Sequence, residues 1–162
     1  QTYKELINRI KSMSMIHEHL YNSKDLTNIN TKEYLNKIID NISRGYNITF
    51  DSTIEDISID FDDAVSLGII INEVFTNAIK HNTNINTKNF IIKIFLTNKT
   101  DTIELIIEDN GIGFDYNRKT TSLGLKLVDQ FCNKLPNSKY NFSFISGTKF
   151  ELKFKGETTL DK

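Results

Sequence analysis

One predicted helix constrains the fold more than any other feature of this sequence. It covers about residues 63–81, and Asp62 or Asp63 is its predicted N-cap. Its apolar residues recur at helical spacing, and those predicted to face inward are Leu67, Ile70, Ile71, Val74, Ala78 and Ile79. A helix this rich in apolar side chains must be largely buried.

Two amphipathic helices are predicted before it. The first covers residues 3–20, and its stripe consists of Leu6, Ile10, Met13, Ile16 (or His17) and Leu20. The polar residues 22–30 predict a loop, after which Asn30 and Glu33 have the spacing of a capping box. The second helix has Gly45 as its predicted stop, and its buried stripe is Tyr34, Leu35, Ile38, Ile39 and Ile42.

Strands dominate the rest of the sequence. Short strands are predicted within residues 46–61, and residues 89–97 and 102–108 form a predicted hairpin around a turn at 98–101. A fourth helix is predicted at about residues 123–134. Residues 140–145 and 149–154 alternate around Ser146 and Gly147, which predicts a last hairpin.

Composition and charge exclude several classes of protein. The chain has 162 residues, which is the length of one domain, and its 38% hydrophobic content excludes wholesale disorder. Its 20 basic and 21 acidic side chains give a net charge of −1, which argues against a nucleic acid or an anionic membrane as partner. The predicted partner is a small molecule or a protein.

Cysteine content and hydropathy limit the cellular compartments and the kinds of site expected for this chain. Cys132 is the only cysteine, so an internal disulfide framework and a paired-cysteine zinc site are excluded, and a reducing compartment fits. Cys132 itself is predicted to pack in the core. No apolar stretch is long enough to span a bilayer. The N-terminus carries no initiator Met, so we expect a piece of a longer parent, which leaves room for a membrane anchor elsewhere.

Three stretches carry residues suited to chemistry. Glu73, Asn77 and Lys80 or His81 follow one face of the apolar helix, although a solvated edge accounts for such a stripe equally well when it is taken alone. Asp109 ends a predicted buried strand, where a carboxylate needs a donor such as the exocyclic amine of adenine. Residues 121–128 run through Gly124 into a helix whose free amides attract phosphate.

The order of these stretches resembles the nucleotide-binding domain of sensor histidine kinases, in the superfamily that also holds gyrase-type and chaperone ATPases. Residues 72–81 resemble its N box, 109–113 its first glycine box, 122–128 its second, and Gly147 with Thr148 its closing Gly-Thr. Residues 7–35 resemble the second dimerisation helix of a kinase subfamily. The resemblance implies a Bergerat ATP-binding fold, which is an α/β (α+β) two-layer sandwich with a mixed sheet covered on one face by helices and preceded by an N-terminal helix. Residues 1–29 are then the end of the dimerisation region, and 30–162 the catalytic domain.

The resemblance also assigns roles to single residues. Asn77 would hold Mg²⁺, Glu73 would act as general base or orient the nucleophile, and Lys80 and His81 would lie at the phosphates. Asp109 would recognise adenine with support from the Thr148 hydroxyl. The remaining residues that the resemblance places around the nucleotide are Asn72, Gly111, Gly113, Ser122, Leu123, Gly124 and Leu125. Ser122 is also the expected cap of the fourth helix.

Three departures from the family pattern matter. Leu123 stands where many relatives have glycine, and the segment between the glycine boxes, 114–121, is short, with Arg118 and Lys119 as candidate phosphate contacts. No phosphoacceptor motif is present, because His17 and His19 match non-acceptor positions. The acceptor histidine is therefore expected upstream of Gln1.

The resemblance implies an ATP-binding catalytic domain that transfers the γ-phosphoryl group of ATP to that histidine. ATP and Mg²⁺ are the expected ligands, and a response regulator is the expected protein partner. The parent is expected to be a homodimer, and this part of it is expected to be cytoplasmic whether or not the parent has a membrane anchor. The alternatives are a regulatory nucleotide-binding module without phosphotransfer and a gyrase-type or chaperone-type clamp. Glu73 favours the kinase, because a pure binding module needs no base, and 162 residues leave no room for the clamp's transducer domain.

Overall fold

The computed structural model of this protein describes residues 3–21, 28–44, 46, 48–82, 90–113, 122–144 and 146–156. Its helices are α1 (Tyr3–Tyr21), α2 (Thr31–Ser43), α3 (Phe61–His81) and α4 (Leu123–Cys132). Its strands are β1 (Ile29–Asn30), β2 (Thr49–Ile54), β3 (Ser58–Ile59), β4 (Ile91–Lys99), β5 (Thr102–Asp109), β6 (Lys139–Phe144) and β7 (Thr148–Lys155).

A five-stranded mixed sheet forms one layer of the fold. Its strand order is β2-β4-β5-β7-β6, in which β2 is parallel to β4 and the other neighbours are antiparallel. Alternate residues of the central strands point to one face and are buried, among them Ile94, Leu105 and Leu152. The apolar side of α3 belongs to the same core. The predicted α+β architecture with a mixed sheet is confirmed.

The opposite face of the sheet carries charged side chains. Glu104 on β5 lies between Lys99 and Lys153, with nitrogen–oxygen distances of 3.1 and 2.8 Å. These hydrogen bonds, that of Lys153 first, hold the pKa of Glu104 below its usual range. Because alternate residues of a strand face opposite ways, this charged face is the complement of the apolar face that packs on α3.

The β4–β5 hairpin is confirmed, although its turn is tighter than predicted. Thr100 and Asp101 have φ values of 47° and 66°, so two consecutive residues adopt the left-handed conformation. That pattern belongs to the two-residue turns whose twist matches an antiparallel hairpin. Asn98 and Lys99, predicted as part of the turn, therefore continue β4.

The N-terminal ends of α2 and α3 show one confirmed cap and one corrected cap. Asn30 caps α2, and its side chain accepts a hydrogen bond from the Glu33 amide at 2.9 Å. The prediction of Asp62 or Asp63 as the cap of α3 is wrong, because Asp60 has the extended backbone of a cap and accepts from the Asp63 amide at 2.7 Å. Asp62 and Asp63 lie in the first turn. Gly45, the predicted stop of α2, lies outside the described residues.

Helix α1 packs on α3 through its C-terminal half. Ile16 and Leu20 are 3% and 1% exposed, whereas Ile10 is 58% exposed, so its predicted place in the buried stripe is wrong. Nothing in the described part of the chain covers Ile10, although its spacing is correct. Of the other predicted stripe residues, Met13 is half-buried, and the side chain of Leu6 lies outside the description.

Close helix packing depends on Gly68 of α3. A Cβ atom there would lie 2.1 Å from the Tyr34 hydroxyl and 3.1 Å from Ile16. The Tyr34 hydroxyl donates to the Ala64 carbonyl at 3.0 Å, and its burial raises the pKa of Tyr34. Helices α1, α2 and α3 therefore meet at one residue that must lack a side chain. Among the described helices none is long and apolar enough to cross a membrane.

Candidate functional site

A cleft lies between α3 and the sheet, where three of the predicted site residues meet. Asn77 of α3, Asp109 at the end of β5 and Thr148 at the start of β7 all line it. The rest of its lining is apolar and consists of Val74, Ala78, Ile107 and Phe142. A concave apolar site with a few convergent polar groups is the usual form of a small-molecule site.

Asp109 is the most constrained polar group of the cleft. It is 7% exposed, and it accepts hydrogen bonds from the Gly111 amide at 2.8 Å and from both the amide and the hydroxyl of Thr148. Burial raises the pKa of Asp109, while these bonds and the nearby His81 act in the opposite direction. A carboxylate has about four lone-pair positions, so three donors leave one for a ligand.

Two glycines bring the β6–β7 turn onto the end of β5. Gly147 has a φ of 98°, and a Cβ atom on it would lie 1.8 Å from the Asp109 carbonyl oxygen. Gly113 has a φ of 70°, and its Cβ atom would lie 3.0 Å from the Gly147 carbonyl oxygen. Both positions therefore require glycine, for backbone conformation and for space. This contact also places Thr148 beside Asp109.

Asn82 is a residue of this site that the sequence did not reveal. It is 2% exposed, and it donates to the Ala78 carbonyl at 2.7 Å and accepts from the Ile112 amide at 2.8 Å. A Cβ atom on Gly111 would lie 2.1 Å from the Asn82 side-chain oxygen. An asparagine directly after a predicted helix signals a cap, but nothing in the sequence indicated its contact with the Asp109–Gly113 loop.

The polar face of α3 is buried at one end and open at the other. Glu73 is 1% exposed and Asn72 5%, so the alternative of a solvated edge is wrong for this turn. Asn77 is half-buried, and Lys80 and His81 are exposed. The pKa of His81 lies below its usual value because the surrounding protein displaces water from the imidazole, and Lys80 adds to the effect.

Helix α4 begins with the predicted cap. Ser122 has extended backbone angles, and its hydroxyl accepts from the Leu125 amide at 3.4 Å. Gly124 and Leu125 are buried, while Leu123, which stands in place of the family's glycine, is 38% exposed. Residues 114–121, with Arg118 and Lys119, lie outside the described part of the chain.

The remaining candidate residues from the sequence are Cys132, His17 and His19. Cys132 is fully buried, and its burial raises the pKa of the thiol to about 12, as expected for a core residue. His17 is exposed and its ring lies 6.3 Å from that of Phe61. The side chain of His19 lies outside the described residues.

Comparison with protein families gives two matches. Residues 62–158 match the family described as histidine kinase-, DNA gyrase B- and HSP90-like ATPase. Residues 1–46 match a second family, described as histidine kinase. The first match covers more than half of the chain and includes α3, the cleft and α4. No curated protein sequence matches the chain.

Solved structures share the fold. The histidine kinase domain of a blue-light activated histidine kinase from Erythrobacter litoralis superposes with a TM-score of 0.79 at 17% identity, covering 95% of this chain and 76% of that one. The Acinetobacter baumannii histidine kinase AdeS gives 0.67 at 16%, covering 96% and 79%. The mycobacterial sensor histidine kinase MprB gives 0.66 at 19%, covering 82% and 98%. At these identities the likeness concerns the fold alone.

Proposed function

Because the chain belongs to the histidine kinase-, DNA gyrase B- and HSP90-like ATPase family, we propose that the cleft between α3 and the sheet is its ATP site. The chain is the ATP-binding catalytic domain of a two-component histidine kinase. The proposal assigns each chemical part of the reaction to particular residues of the cleft and its rim.

One observation carries the proposal: the hydrogen bonding of the buried Asp109 carboxylate, which we assign to adenine. Three protein donors hold this buried carboxylate and leave one acceptor position. The exocyclic amine of adenine supplies a donor, whereas guanine has a carbonyl oxygen at the same place and would oppose one acceptor with another. The apolar side chains of Val74, Ile107 and Phe142 suit the faces of a purine ring.

The side chains in the cleft that could bind a metal suit Mg²⁺ held together with phosphate. Within the described residues no three His, Cys, Asp or Glu side chains come together as a metal cage. Mg²⁺ usually keeps several waters and takes only one or two protein ligands beside phosphate oxygens. We propose Asn77 as that ligand, since its amide lies in the cleft. When bound, the ion would neutralise charge on the transferring phosphoryl group.

Phosphoryl transfer needs a group that orients the attacking histidine. In the proposed reaction an imidazole nitrogen forms a bond to the γ-phosphorus, the bond from that phosphorus to the bridging oxygen breaks, and ADP leaves. Glu73 would accept the proton of the imidazole or hold the ring in place. Lys80 at the exposed end of α3 would offset phosphate charge. His81 lies at the same exposed end of α3 and would meet the phosphates beside Lys80.

The start of α4 is the proposed phosphate cradle. Ser122 uses one helix amide through its cap bond, and the remaining free amides of the first turn are available to oxygen ligands. Gly124 would contribute its backbone amide, Leu125, whose amide already donates to Ser122, would line the cradle, and the Leu123 side chain would lie at the rim. Gly111, Gly113 and Asn72 would shape the nucleotide site from the loop and from α3.

We place the boundary between the dimerisation region and the catalytic domain after residue 29. Helix α2 belongs with the catalytic domain because Tyr34 bonds α3, and because Thr31 bonds the Glu55 carbonyl and the Ile57 amide at 2.9 and 3.0 Å. Residues 1–29 then form the end of the dimerisation region. We further propose that the parent protein is a homodimer, carries the acceptor histidine upstream and passes phosphate to a response regulator. A cytoplasmic setting suits the free thiol of Cys132.

Calorimetric titration of the protein with ATP and with GTP, each with and without Mg²⁺, tests the ATP site. We expect binding of ATP that Mg²⁺ strengthens, and at least about tenfold weaker binding of GTP, which corresponds to the loss of one hydrogen bond of about 1.4 kcal/mol. Equal affinity for the two nucleotides would overturn the role of Asp109.

A further inference from the structure

We propose that Asn82 is a positioning residue for the nucleotide, which joins the end of α3 to the loop that carries Asp109. This inference rests on the proposed function, because it concerns how the same ATP site is held in shape. Asn77 and His81 come from one side of the site, and Asp109 comes from the other. Asn82 connects the two sides by direct hydrogen bonds.

The connection uses both ends of one carboxamide. Its nitrogen donates to the Ala78 carbonyl one turn earlier in α3, and its oxygen accepts from the Ile112 amide, at 2.7 and 2.8 Å. The Asn82 backbone amide also bonds the Ile79 carbonyl at 3.1 Å, which fixes the residue as the C-cap of the helix. Because the side chain is 2% exposed, water cannot readily replace either partner.

The loop is held at a second point as well. The side chain of Asn110 accepts a hydrogen bond from the Ile91 amide at 2.8 Å, at the start of β4. Asp109 itself accepts from the Gly111 amide at 2.8 Å. The Asn82 contact to Ile112 therefore joins the loop to α3 by a hydrogen bond, and the Asn110 contact joins the loop to the sheet.

Contact with Asn82 explains why residue 111 is glycine. Among the described glycines, those with positive φ are Gly113 and Gly147, so backbone conformation does not require glycine at position 111. A Cβ atom there would lie 2.1 to 2.3 Å from three atoms of the Asn82 carboxamide. Space for Asn82, and not the backbone, therefore excludes a side chain at this position.

This steric relation allows a test by paired substitutions. Asn82→Ala removes both hydrogen bonds, and Gly111→Ala displaces the carboxamide while leaving Asn82 in place. In the double variant the Asn82 carboxamide is gone and the new methyl group has room. The double variant should therefore lose no more nucleotide affinity than Asn82→Ala alone. Asn133→Ala is the matched control, because Asn133 caps α4 in the same way but its exposed side chain bonds only Asp129 of its own helix.

The readout is the dissociation constant for ADP and for ATP, with and without Mg²⁺, at a temperature where circular dichroism shows each variant fully folded. We expect Asn82→Ala and Gly111→Ala each to weaken the binding of both nucleotides by about tenfold regardless of Mg²⁺, which corresponds to about 1.4 kcal/mol. Asn133→Ala should bind as wild type does.

The outcomes separate this inference from the proposed function. If wild type binds no adenine nucleotide, the proposed function fails and this inference fails with it. If wild type binds ATP but Asn82→Ala binds it equally well and only melts earlier, Asn82 is a helix cap and the inference alone is wrong. Additive losses in the Asn82→Ala, Gly111→Ala double variant would also overturn it.

Discussion

Replacing Asp109 by asparagine should weaken the recognition of adenine. In the structure three donors already bind this carboxylate: the Gly111 amide, the Thr148 amide and the Thr148 hydroxyl. With the adenine amine there would be four donors for about four lone-pair positions. An asparagine side chain has one oxygen with two such positions, and its amide hydrogens would face donors.

The expected magnitude follows from that count. At least the bond to adenine is lost, and a hydrogen bond to a charged acceptor contributes about 1.5 to 3 kcal/mol. Since 1.4 kcal/mol corresponds to a factor of ten, the dissociation constant for ATP should rise by about ten- to a hundredfold. The preference for ATP over GTP should shrink as well, because the carboxamide can present a donor to the guanine carbonyl.

Calorimetric titration measures both affinities. Asp51→Asn is the matched control, since Asp51 is exposed on the edge strand β2 and makes the same change in charge away from the cleft. The control should bind ATP as wild type does. If Asp109→Asn keeps wild-type affinity for ATP and its discrimination against GTP, the argument from the hydrogen bonds of Asp109 is wrong.

Substitutions of Asn77 and Tyr34 and the titration of Asp109 give three further predictions. Asn77→Ala should abolish the strengthening of ATP binding by Mg²⁺ while leaving metal-free binding within about twofold, a change too small for a lost hydrogen bond, as titrations with and without the ion will show. Tyr34→Phe should lower the free energy of unfolding by about 1 kcal/mol through loss of the bond to Ala64, and calorimetry should show a melting temperature about 2 to 4 °C lower. The raised pKa of Asp109 means that its contribution to stability is fully present below the unfolded-state pKa and is lost as pH rises through the folded-state pKa. ATP binding has the opposite dependence, since adenine needs the ionised form, so affinity should fall as pH is lowered through that pKa in wild type but not in Asp109→Asn.

Periodic patterns in the sequence predicted most of the fold. The apolar spacing of α3 and the alternation along β4, β5 and β7 placed those elements within a few residues of their bounds, because burial of one face imposes the pattern directly. Asn30 and Ser122 were predicted as caps since a cap depends on a contact three residues away. The same local rule pointed to Asp62 or Asp63 for α3, and the backbone angles of the structure identify Asp60 as the cap instead.

Contacts between distant parts of the chain were not predictable in the same way. Ile10 has correct helical spacing yet is 58% exposed, because periodicity shows which face is apolar and not what covers it. Asn82 contacts Ile112 thirty residues further on, and no spacing rule connects the two. The contact of Thr148 with Asp109 came from the family resemblance, which supplied a long-range relation that the residues alone did not.

Transfer of a labelled γ-phosphoryl group tests the central claim most directly. A protein extended N-terminally to include the proposed acceptor should incorporate acid-labile phosphate on histidine from ATP, whereas residues 1–162 alone should bind ATP without labelling. Glu73→Gln should reduce labelling by about a hundredfold with little loss of ATP affinity, since a base acts mainly in the transition state. Glu108→Gln, on the charged outer face of the sheet, is the control and should label as wild type does. An extended protein that binds ATP and never labels, or a Glu73→Gln variant that loses labelling and ATP binding in equal proportion, would contradict the mechanism proposed for this domain.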